Sequence, residues 1–221
     1  MVKSKLEVSK GVWTVELSEV DGLPNEAYLL DCSEGVVIID TGYTADDLKR
    51  IGDQLKAIGR EWKEVKVILI THEHGDHIEN LPKLKELTSA QVMAGEGDVR
   101  GIEAQTGVKL DKGLRHGDYI DMCGGIEAIH IPGHSVGNMS FYLQKPRIVI
   151  VGDTIFQDEH GNLIPPPEKY SLDAETAKNE IKRLLFYDFN ILLLSHGKNL
   201  LKGAKNRIRV FCEALEAQRL S

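Results

Sequence analysis

The chain has 221 residues, of which 42% are hydrophobic and 28% charged, a composition typical of an ordinary soluble globular protein. We predict a single domain over residues 1–221. The formal net charge is −7, so the chain lacks the excess of basic residues that is typical of nucleic-acid-binding proteins. No apolar run approaches the roughly 20 residues of a membrane helix, and the first residues lack the apolar segment of a signal peptide. We therefore expect a cytoplasmic protein that uses neither nucleic acid nor a membrane as a partner.

The three cysteines, Cys32, Cys123 and Cys212, are few and widely separated. None has the spacing of a metal-binding or redox pair, and there are too few for a disulfide framework. They predict packed thiols in a reducing compartment.

Short apolar strands alternate with amphipathic helices along the chain. Strands are predicted at 13–17, 27–30, 36–39, 65–70, 91–94, 126–131, 139–143, 148–151 and 191–194. Helices are predicted at 44–58, 80–87, 174–186 and 205–220, and residues 95–107 are interpreted as a helix or a loop. Residues 158–170 contain three consecutive prolines and predict an exposed loop, whose length favours a substrate lid. Strands in blocks with helices between and after them predict two sheets packed face to face and covered by helices.

The densest chemistry lies in the run Thr71-His72-Glu73-His74-Gly75-Asp76-His77, directly behind the strand at 65–70. It places three imidazoles and two carboxylates within seven residues. Burying such groups costs free energy unless they are hydrogen-bonded, charge-paired or bound to metal. Imidazole and carboxylate groups are ligands for zinc and similar metals. The run therefore predicts four metal ligands: His72, His74, Asp76 and His77.

Three later strands also end at residues that bind metals, namely His134, Asp153 and His196. Seven ligands are too many for a closed structural zinc site, which takes four, and they fit two metals with one bridging carboxylate. Ligating imidazoles need an acceptor for their other ring nitrogen, and Asp40 is the candidate for that role. The alternative for Asp40 is a turn residue whose side chain binds nearby backbone amides.

These motifs resemble the metallo-β-lactamase superfamily. The resemblance covers roughly residues 12–208 and consists of Asp40-Thr41-Gly42, the run from His72 to His77, Pro132-Gly133-His134-Ser135, Gly152-Asp153-Thr154 and Ser195-His196-Gly197, in that order. It implies an α+β fold, a four-layer αββα sandwich with the site at one edge of two mixed sheets. It further implies a first metal on His72, His74 and His134, a second metal on Asp76, His77 and His196, and Asp153 as the bridge.

The resemblance implies a hydrolase that acts on a small-molecule substrate. Water between two such metals has its pKa lowered toward about 7, so a metal-bridging hydroxide can attack a carbonyl or phosphoryl centre. Asp76 would orient this nucleophile, which makes it the predicted catalytic residue. The expected cofactors are two divalent metal ions, with zinc first and iron or manganese as alternatives.

Differences between this chain and the patterns of individual branches narrow the choice of branch within the superfamily. A carboxylate at Asp153 resembles glyoxalase II (hydroxyacylglutathione hydrolase) and the lactonases, and Phe156 stands where the lactonases commonly have Tyr. The chain has 25 residues after His196, fewer than the glyoxalase II C-terminal helical extension, and it lacks the Gly-Arg segment after the bridging Asp. We therefore expect cleavage of a small thioester, ester or lactone, without glutathione recognition.

Other functions on this fold stay open. They are a mononuclear iron persulfide dioxygenase, a phosphodiesterase and a non-catalytic scaffold, which the complete ligand set disfavours. The oligomeric state is also open, with a homodimer as one option. Outside the ligand set, His116, His130 and His160 are interpreted as structural or solvated residues, Glu73 points away from the ligands, and Phe156 and Tyr170 are candidates for lining the substrate pocket.

Overall fold

A computed structural model describes residues 6–220, and its first half forms one large twisted sheet. Within the described range this sheet has seven strands, whose order across the sheet equals their order in sequence. The first four strands pair antiparallel and the remaining pairs are parallel. The strands are β1 Glu7–Ser9, β2 Val12–Glu16, β3 Glu26–Cys32, β4 Gly35–Ile39, β5 Val65–Ile70, β6 Gln91–Gly95 and β7 Lys112–Leu114.

The second half of the described chain forms a five-stranded sheet with the order β14-β11-β10-β9-β8, in which only β11 and β14 are parallel. β12 and β13 form a separate, short antiparallel ribbon. The strands are β8 Tyr119–Ile120, β9 Ile126–His130, β10 Met139–Leu143, β11 Ile148–Ile150, β12 Phe156–Gln157, β13 Leu163–Ile164 and β14 Ile191–Leu193.

The helices cover the outer faces of the two sheets. They are α1 Ala45–Ala57, α2 Gly75–Ile78, α3 Leu81–Thr88, α4 Val99–Thr106, α5 Ala174–Glu180 and α6 Ala204–Leu220. One buried apolar cluster lies between the sheets, and a second joins the first sheet to α1, α3 and α4. A third joins the second sheet to the C-terminal helices. Helix, sheet, sheet and helix layers are therefore stacked in that order, and the predicted αββα sandwich is confirmed.

Two predicted helices differ from the structure in extent. The helix predicted over 174–186 divides into α5 and a tighter 3₁₀ turn at Ile181–Phe186. Within the segment 95–107, only α4 is helical, and it ends at Gly107, whose φ of +70° favours glycine. The predicted loop at 158–170 contains β13 and a 3₁₀ turn at Glu168–Tyr170.

The prediction of three packed thiols was wrong for two of the cysteines. Cys32 and Cys123 form a disulfide with Cα atoms 5.0 Å apart, although 91 residues separate them in sequence. Cys32 ends β3 and Cys123 precedes β9. Both residues therefore lie at the same end of the sandwich, where they pack against the apolar cluster between the sheets. Cys212 is a buried free thiol, as predicted. Sequence spacing could not indicate the pair, because only sheet packing brings the two residues together.

Within residues 6–220, no helix combines the length and the apolar character that crossing a membrane demands. Most of the lysine-rich first residues, on which the signal-peptide interpretation depends, lie outside this described range.

Candidate metal centre

The predicted ligands lie where strands of both sheets end at one edge of the sandwich. β5 is followed by His72 and His74, and the short helix α2 begins at Gly75 and carries Asp76 and His77. In the second sheet, β9, β11 and β14 are followed by the remaining three ligand candidates, His134, Asp153 and His196. Four separate segments of the chain therefore supply one site, as the strand ends of a rigid scaffold commonly do.

Among the described residues, the seven side chains fall into two groups. Within each group, the donor atoms lie within 4.8 Å of one another. One group is His72, His74, His134 and Asp153, and the other is Asp76, His77 and His196. All seven sequence-predicted ligand candidates are thus brought together, and none of them lies elsewhere in the fold.

Asp153 directs one carboxylate oxygen to each group. Its Oδ2 atom lies 3.3 Å from Nε2 of His134, whereas its Oδ1 atom lies 3.3 Å from Nε2 of both His77 and His196. Asp76 contacts only the second group, with Oδ2 at 3.3 Å from His196 and 3.4 Å from His77. Asp153 is therefore the one carboxylate of this cluster that contacts both groups.

Several buried polar atoms of the cluster have no hydrogen-bond partner among the described residues. They include Nε2 of His77 and Oδ1 of Asp153, which lie 3.3 Å apart without forming a hydrogen bond. The Nε2 atoms of His72 and His134 lie 3.1 Å apart, and a hydrogen bond between them requires one of the two to carry a proton. Buried polar atoms left without partners are costly. Cations coordinated between them would satisfy these atoms, so the nitrogen and oxygen donors present fit divalent metal ions.

The outer ring nitrogens of three of the histidines are held by the protein. Asp40 Oδ2 lies 2.9 Å from Nδ1 of His77, and the carbonyl oxygen of Pro24 lies 2.8 Å from Nδ1 of His196. Thr71 Oγ1 lies 3.1 Å from Nδ1 of His72. These contacts turn the Nε2 atoms inward and fix the ring orientation, as partners of metal-binding histidines do.

Asp40 combines the two roles that the sequence left open. Besides contacting His77, its carboxylate accepts hydrogen bonds from the backbone N–H of Thr71 at 2.8 Å and from the hydroxyl of Thr71 at 2.9 Å. Asp40 itself has a φ of +62°, a conformation that Asp tolerates better than most residues. A buried carboxylate thus ties the end of β4 to the start of the histidine-rich turn.

The electrostatics of the second group and of Asp153 favour charged side chains. Burial raises the pKa of Asp76 and Asp153, but the adjacent imidazoles outweigh burial and hold both pKa values well below the usual range. Burial lowers the pKa of His77 and His196, but the carboxylates outweigh it. The pKa of His77 therefore lies well above its ordinary value, and that of His196 rises to about 10. In the metal-free protein these histidines hold protons that a cation must displace.

Two histidines of the first group behave in the opposite way. Burial and the surrounding imidazoles hold the pKa of His72 well below its ordinary value and lower that of His74 to about 4. Both rings are therefore neutral at pH 7, which is the form of histidine that binds metals.

Sequence reasoning missed Asp98, which is fully buried beside the site. Its carboxylate accepts hydrogen bonds from the hydroxyl of Ser135 and the backbone N–H of Gly137, both at 2.5 Å, and from the N–H of Glu73 at 3.2 Å. It thereby joins the loop after His72 to the loop after His134. Its available signal was the Gly-Glu-Gly-Asp turn that follows β6.

The remaining polar candidates have structural partners. Asn138 donates from Nδ2 to the carbonyl of Ile131 and to Oγ1 of Thr154, both at 2.9 Å, so it braces the loops that carry His134 and Asp153. His130 lies 2.9 Å from the carbonyl of Val136, while His116 and His160 are exposed in turns. None of these three histidines belongs to the two ligand groups, as the sequence predicted.

A cavity of about 320 Å³ opens over the metal-ligand candidates. Phe156 and Tyr170, the two residues predicted to line the pocket, both contribute to it. The ring of Phe156 stacks on His196 with ring centroids 5.0 Å apart and an interplanar angle of 19°. Sequence reasoning missed Val20, Leu23 and Lys169, which also line it. Val20 and Leu23 lie in one turn that is far in sequence from the metal-ligand motifs, and Lys169 directly precedes Tyr170, so no local pattern of their own indicated these residues.

The family model of the metallo-beta-lactamase superfamily matches residues 20–196. The chain therefore belongs to the metallo-beta-lactamase superfamily.

The curated relatives of this chain include hydroxyacylglutathione hydrolases. The enzyme of Methylobacterium sp. (strain 4-46) is 32% identical over 139 residues, which cover 61% of this chain and 52% of that protein. The enzyme of Bartonella quintana (strain Toulouse) is 33% identical over 136 residues, covering 58% of this chain and 51% of that protein. The chain thus matches about half the length of these curated relatives.

Solved structures resemble the whole fold. A metallo-beta-lactamase from Pontibacter korlensis superposes with a TM-score of 0.79 at 19% identity, covering 96% of this chain and 98% of that one. A metallo-beta-lactamase family protein from Thermus thermophilus gives 0.76 at 19% identity, covering 95% and 81%. At this identity the likeness shows the shared fold and nothing about the substrate.

Proposed function

We propose that this protein is a dinuclear metal-dependent hydrolase that cleaves a small thioester, ester or lactone, with a thioester as the favoured substrate. The observation that carries the proposal is the position of Asp153, which directs one oxygen to each of two donor groups. A carboxylate placed in this way is suited to bridge two ions, whereas a single structural ion would need only four of the seven donors.

In this proposal His72, His74 and His134 hold the first ion, and Asp76, His77 and His196 hold the second, with Asp153 shared between them. When bound, such ions supply the Lewis acidity that activates water and polarises a carbonyl group. Zinc is our first candidate, and the same imidazole and carboxylate donors also suit iron or manganese.

The chain's own residues would prepare the site for hydrolysis. The low pKa of Asp76 keeps its carboxylate ionised, so it can accept a hydrogen bond from the attacking water and orient it. Asp40 and the carbonyl of Pro24 hold His77 and His196 in place. Val20, Leu23 and Phe156 present apolar surface beside the donors, which favours a small acyl group and restricts water around it.

The named relatives support a thioester as the substrate class, because hydroxyacylglutathione hydrolases cleave a thioester of glutathione. The match covers about half of those proteins, so the thioesterase activity of this chain is a proposal. We further propose a small-molecule substrate and a cytoplasmic location, although a disulfide such as Cys32–Cys123 is rare in that compartment.

The test is elemental analysis of the purified protein followed by assays with thioester, lactone, β-lactam and phosphodiester substrates. We expect two equivalents of divalent metal per chain and hydrolysis confined to one ester class. Asp153→Ser should lower the bound metal to one equivalent or less, because it removes the shared oxygen atoms. One iron per chain with oxygen consumption in the presence of a persulfide would replace this proposal with the dioxygenase alternative.

A further inference from the structure

The rim of the substrate cavity is built by a segment that is fastened to the metal-site loops. Residues 165–167 are three prolines, which limit the conformations of the segment that leads to the 3₁₀ turn Glu168–Tyr170. Directly after it, the N–H of Leu172 donates to the carbonyl of His134 at 3.1 Å, and the N–H of Asp173 donates to that of Gly133 at 2.8 Å. The segment is thus anchored beside a ligand candidate, and it carries Lys169 and Tyr170 into the cavity lining.

The opposite side of the rim is a tight two-residue turn. Val20 and Leu23 exchange backbone hydrogen bonds at 3.0 and 2.9 Å, and the residues between them, Asp21 and Gly22, have φ values of +52° and +77°. An Asp-Gly pair with both φ angles positive is favourable for such a turn. The turn places Val20 and Leu23 on the cavity wall and holds the Asp21 side chain out toward the Lys169–Tyr170 segment.

A carboxylate already binds to this segment. The hydroxyl of Tyr170 donates to Oδ2 of Asp21, and Nζ of Lys169 lies 3.9 Å from the same oxygen. The ammonium also lies 4.2 Å from the centroid of the Tyr170 ring. A phenol hydroxyl and an ammonium group directed at one oxygen form a recognition pair for carboxylates, since both donate and one is positively charged.

We propose that Lys169 and Tyr170 recognise a carboxylate group of the substrate, so that the physiological substrate is a small thioester bearing a carboxylate away from its scissile bond. This inference rests on the proposed function, whose substrate it narrows. Lys169 is the only lysine or arginine that lines this cavity within the described chain. Its partner Asp21 occupies the anion position and gives way to the substrate.

The exposure of the pair makes this exchange inexpensive. The side chains of Lys169 and Asp21 are 68% and 61% exposed, and ion pairs this exposed contribute little to stability. The cavity, at about 320 Å³, is at the small end of the range for ligand sites. It therefore fits a short acyl chain and one charged group better than a long peptide-like thiol.

The test compares three thioesters on the metal-loaded protein. They are the neutral S-acetyl-N-acetylcysteamine, S-acetyl-3-mercaptopropionate with the carboxylate on the thiol, and S-succinyl-N-acetylcysteamine with the carboxylate on the acyl group. We expect kcat/KM for one carboxylated thioester to exceed that for the neutral one by about tenfold, the effect of one charge-assisted hydrogen bond. The carboxylated substrate that is favoured identifies the half of the thioester that carries the charge.

Lys169→Met should reduce this ratio to about one, chiefly through KM, and Asp21→Asn should raise it because the competing carboxylate is removed. Lys63→Met is the matched control, because Lys63 is an exposed lysine paired with Glu61 before the start of β5, at the opposite end of the strand from the ligands. Lys63→Met should leave kcat/KM unchanged for the carboxylated and the neutral thioesters, and therefore also their ratio. A wild-type ratio of one, or a ratio that survives Lys169→Met, would overturn the inference.

A binding measurement separates failure of this inference from failure of the proposed function. If the wild-type protein hydrolyses no thioester, ester or lactone, the proposed function fails, and calorimetric titration of the metal-loaded protein then tests the inference alone. We expect 3-mercaptopropionate to bind about tenfold more tightly than neutral N-acetylcysteamine, and Lys169→Met to remove the difference. Equal binding of the two thiols to the wild-type protein would refute carboxylate recognition.

Discussion

The two ends of the sandwich join the same pair of sheets by different means. At one end, the disulfide between Cys32 and Cys123 links them covalently beside the apolar core. At the other end, imidazoles and carboxylates from both sheets meet with buried donor atoms that lack hydrogen-bond partners. A covalent link needs nothing else, whereas the second arrangement calls for a cation. The difference indicates that one end serves stability and the other serves chemistry, and substitutions at each end can test this division.

The largest effect is expected from substitutions at the ligand end. Asp76→Asn or His72→Ala should lower kcat/KM by at least about 10³-fold, since each removes a group required for activating or orienting water. Far-ultraviolet circular dichroism should show an unchanged fold. Near-normal turnover in either variant would contradict the proposed mechanism, and Cys32→Ser, at the opposite end, should retain wild-type kcat.

The disulfide end should show the reverse pattern. Cys32→Ser should lower stability by about 2–5 kcal/mol, because it frees a loop of 91 residues in the unfolded chain. Thermal unfolding without reductant should record a fall in Tm of about 10 °C. Cys123→Ser should give the same shift, and adding a reductant should affect the wild type but neither variant. If thiol titration of the unfolded wild type finds three free cysteines, the disulfide is refuted.

A smaller effect is expected at Asp98, which joins two of the ligand-bearing loops. Asp98→Asn should weaken metal binding by about 10- to 100-fold, the usual cost of losing a group that orients ligands. Competition with a chelator measures this affinity, and Asp188→Asn, at an exposed ion pair with Arg147, is the control. If Asp98 positions the ligands, the loss of metal affinity in Asp98→Asn must be larger than its loss of stability in the metal-free protein can account for. A loss of stability with unchanged affinity would assign Asp98 to folding alone.

The smallest effect concerns the pH dependence of the metal-free protein. The pKa of His196 is raised from 6.5 to about 10, so its contacts stabilise the fold fully below about pH 6.5 and are lost as pH rises toward 10. The lowered pKa values of Asp76 and Asp153 contribute above about pH 4 and are lost as pH falls.

The Tm of the metal-free protein should therefore be highest between about pH 4 and 6.5 and fall progressively as the pH rises toward 10. Metal-loaded protein should lack this fall, because its ligands have already lost their protons. His196→Gln should flatten the metal-free profile over the same range, whereas a flat wild-type profile would refute the charged state assigned to His196.

The parts of the fold that local patterns encode were predictable. Apolar runs such as Val65–Ile70 and the stripe of α1 have periodicities that distinguish strand from helix. The division of the predicted helix at 174–186 into α5 and a 3₁₀ turn was not predictable, because both parts share one amphipathic pattern. The short strands β7 and β8 were also missed, since two or three residues carry no measurable period.

The sequence by itself determined the seven donors, the strands that present them and the class of chemistry, because ligand types concentrated after apolar strands have no stable alternative use. Only the tertiary structure decided which distant residues meet. It placed the two oxygens of Asp153 between two donor groups and joined Cys32 to Cys123. It also brought Lys169 and Tyr170 to the cavity opposite Asp21. The reason is physical: local patterns act over a few residues, whereas these contacts depend on how two whole sheets pack.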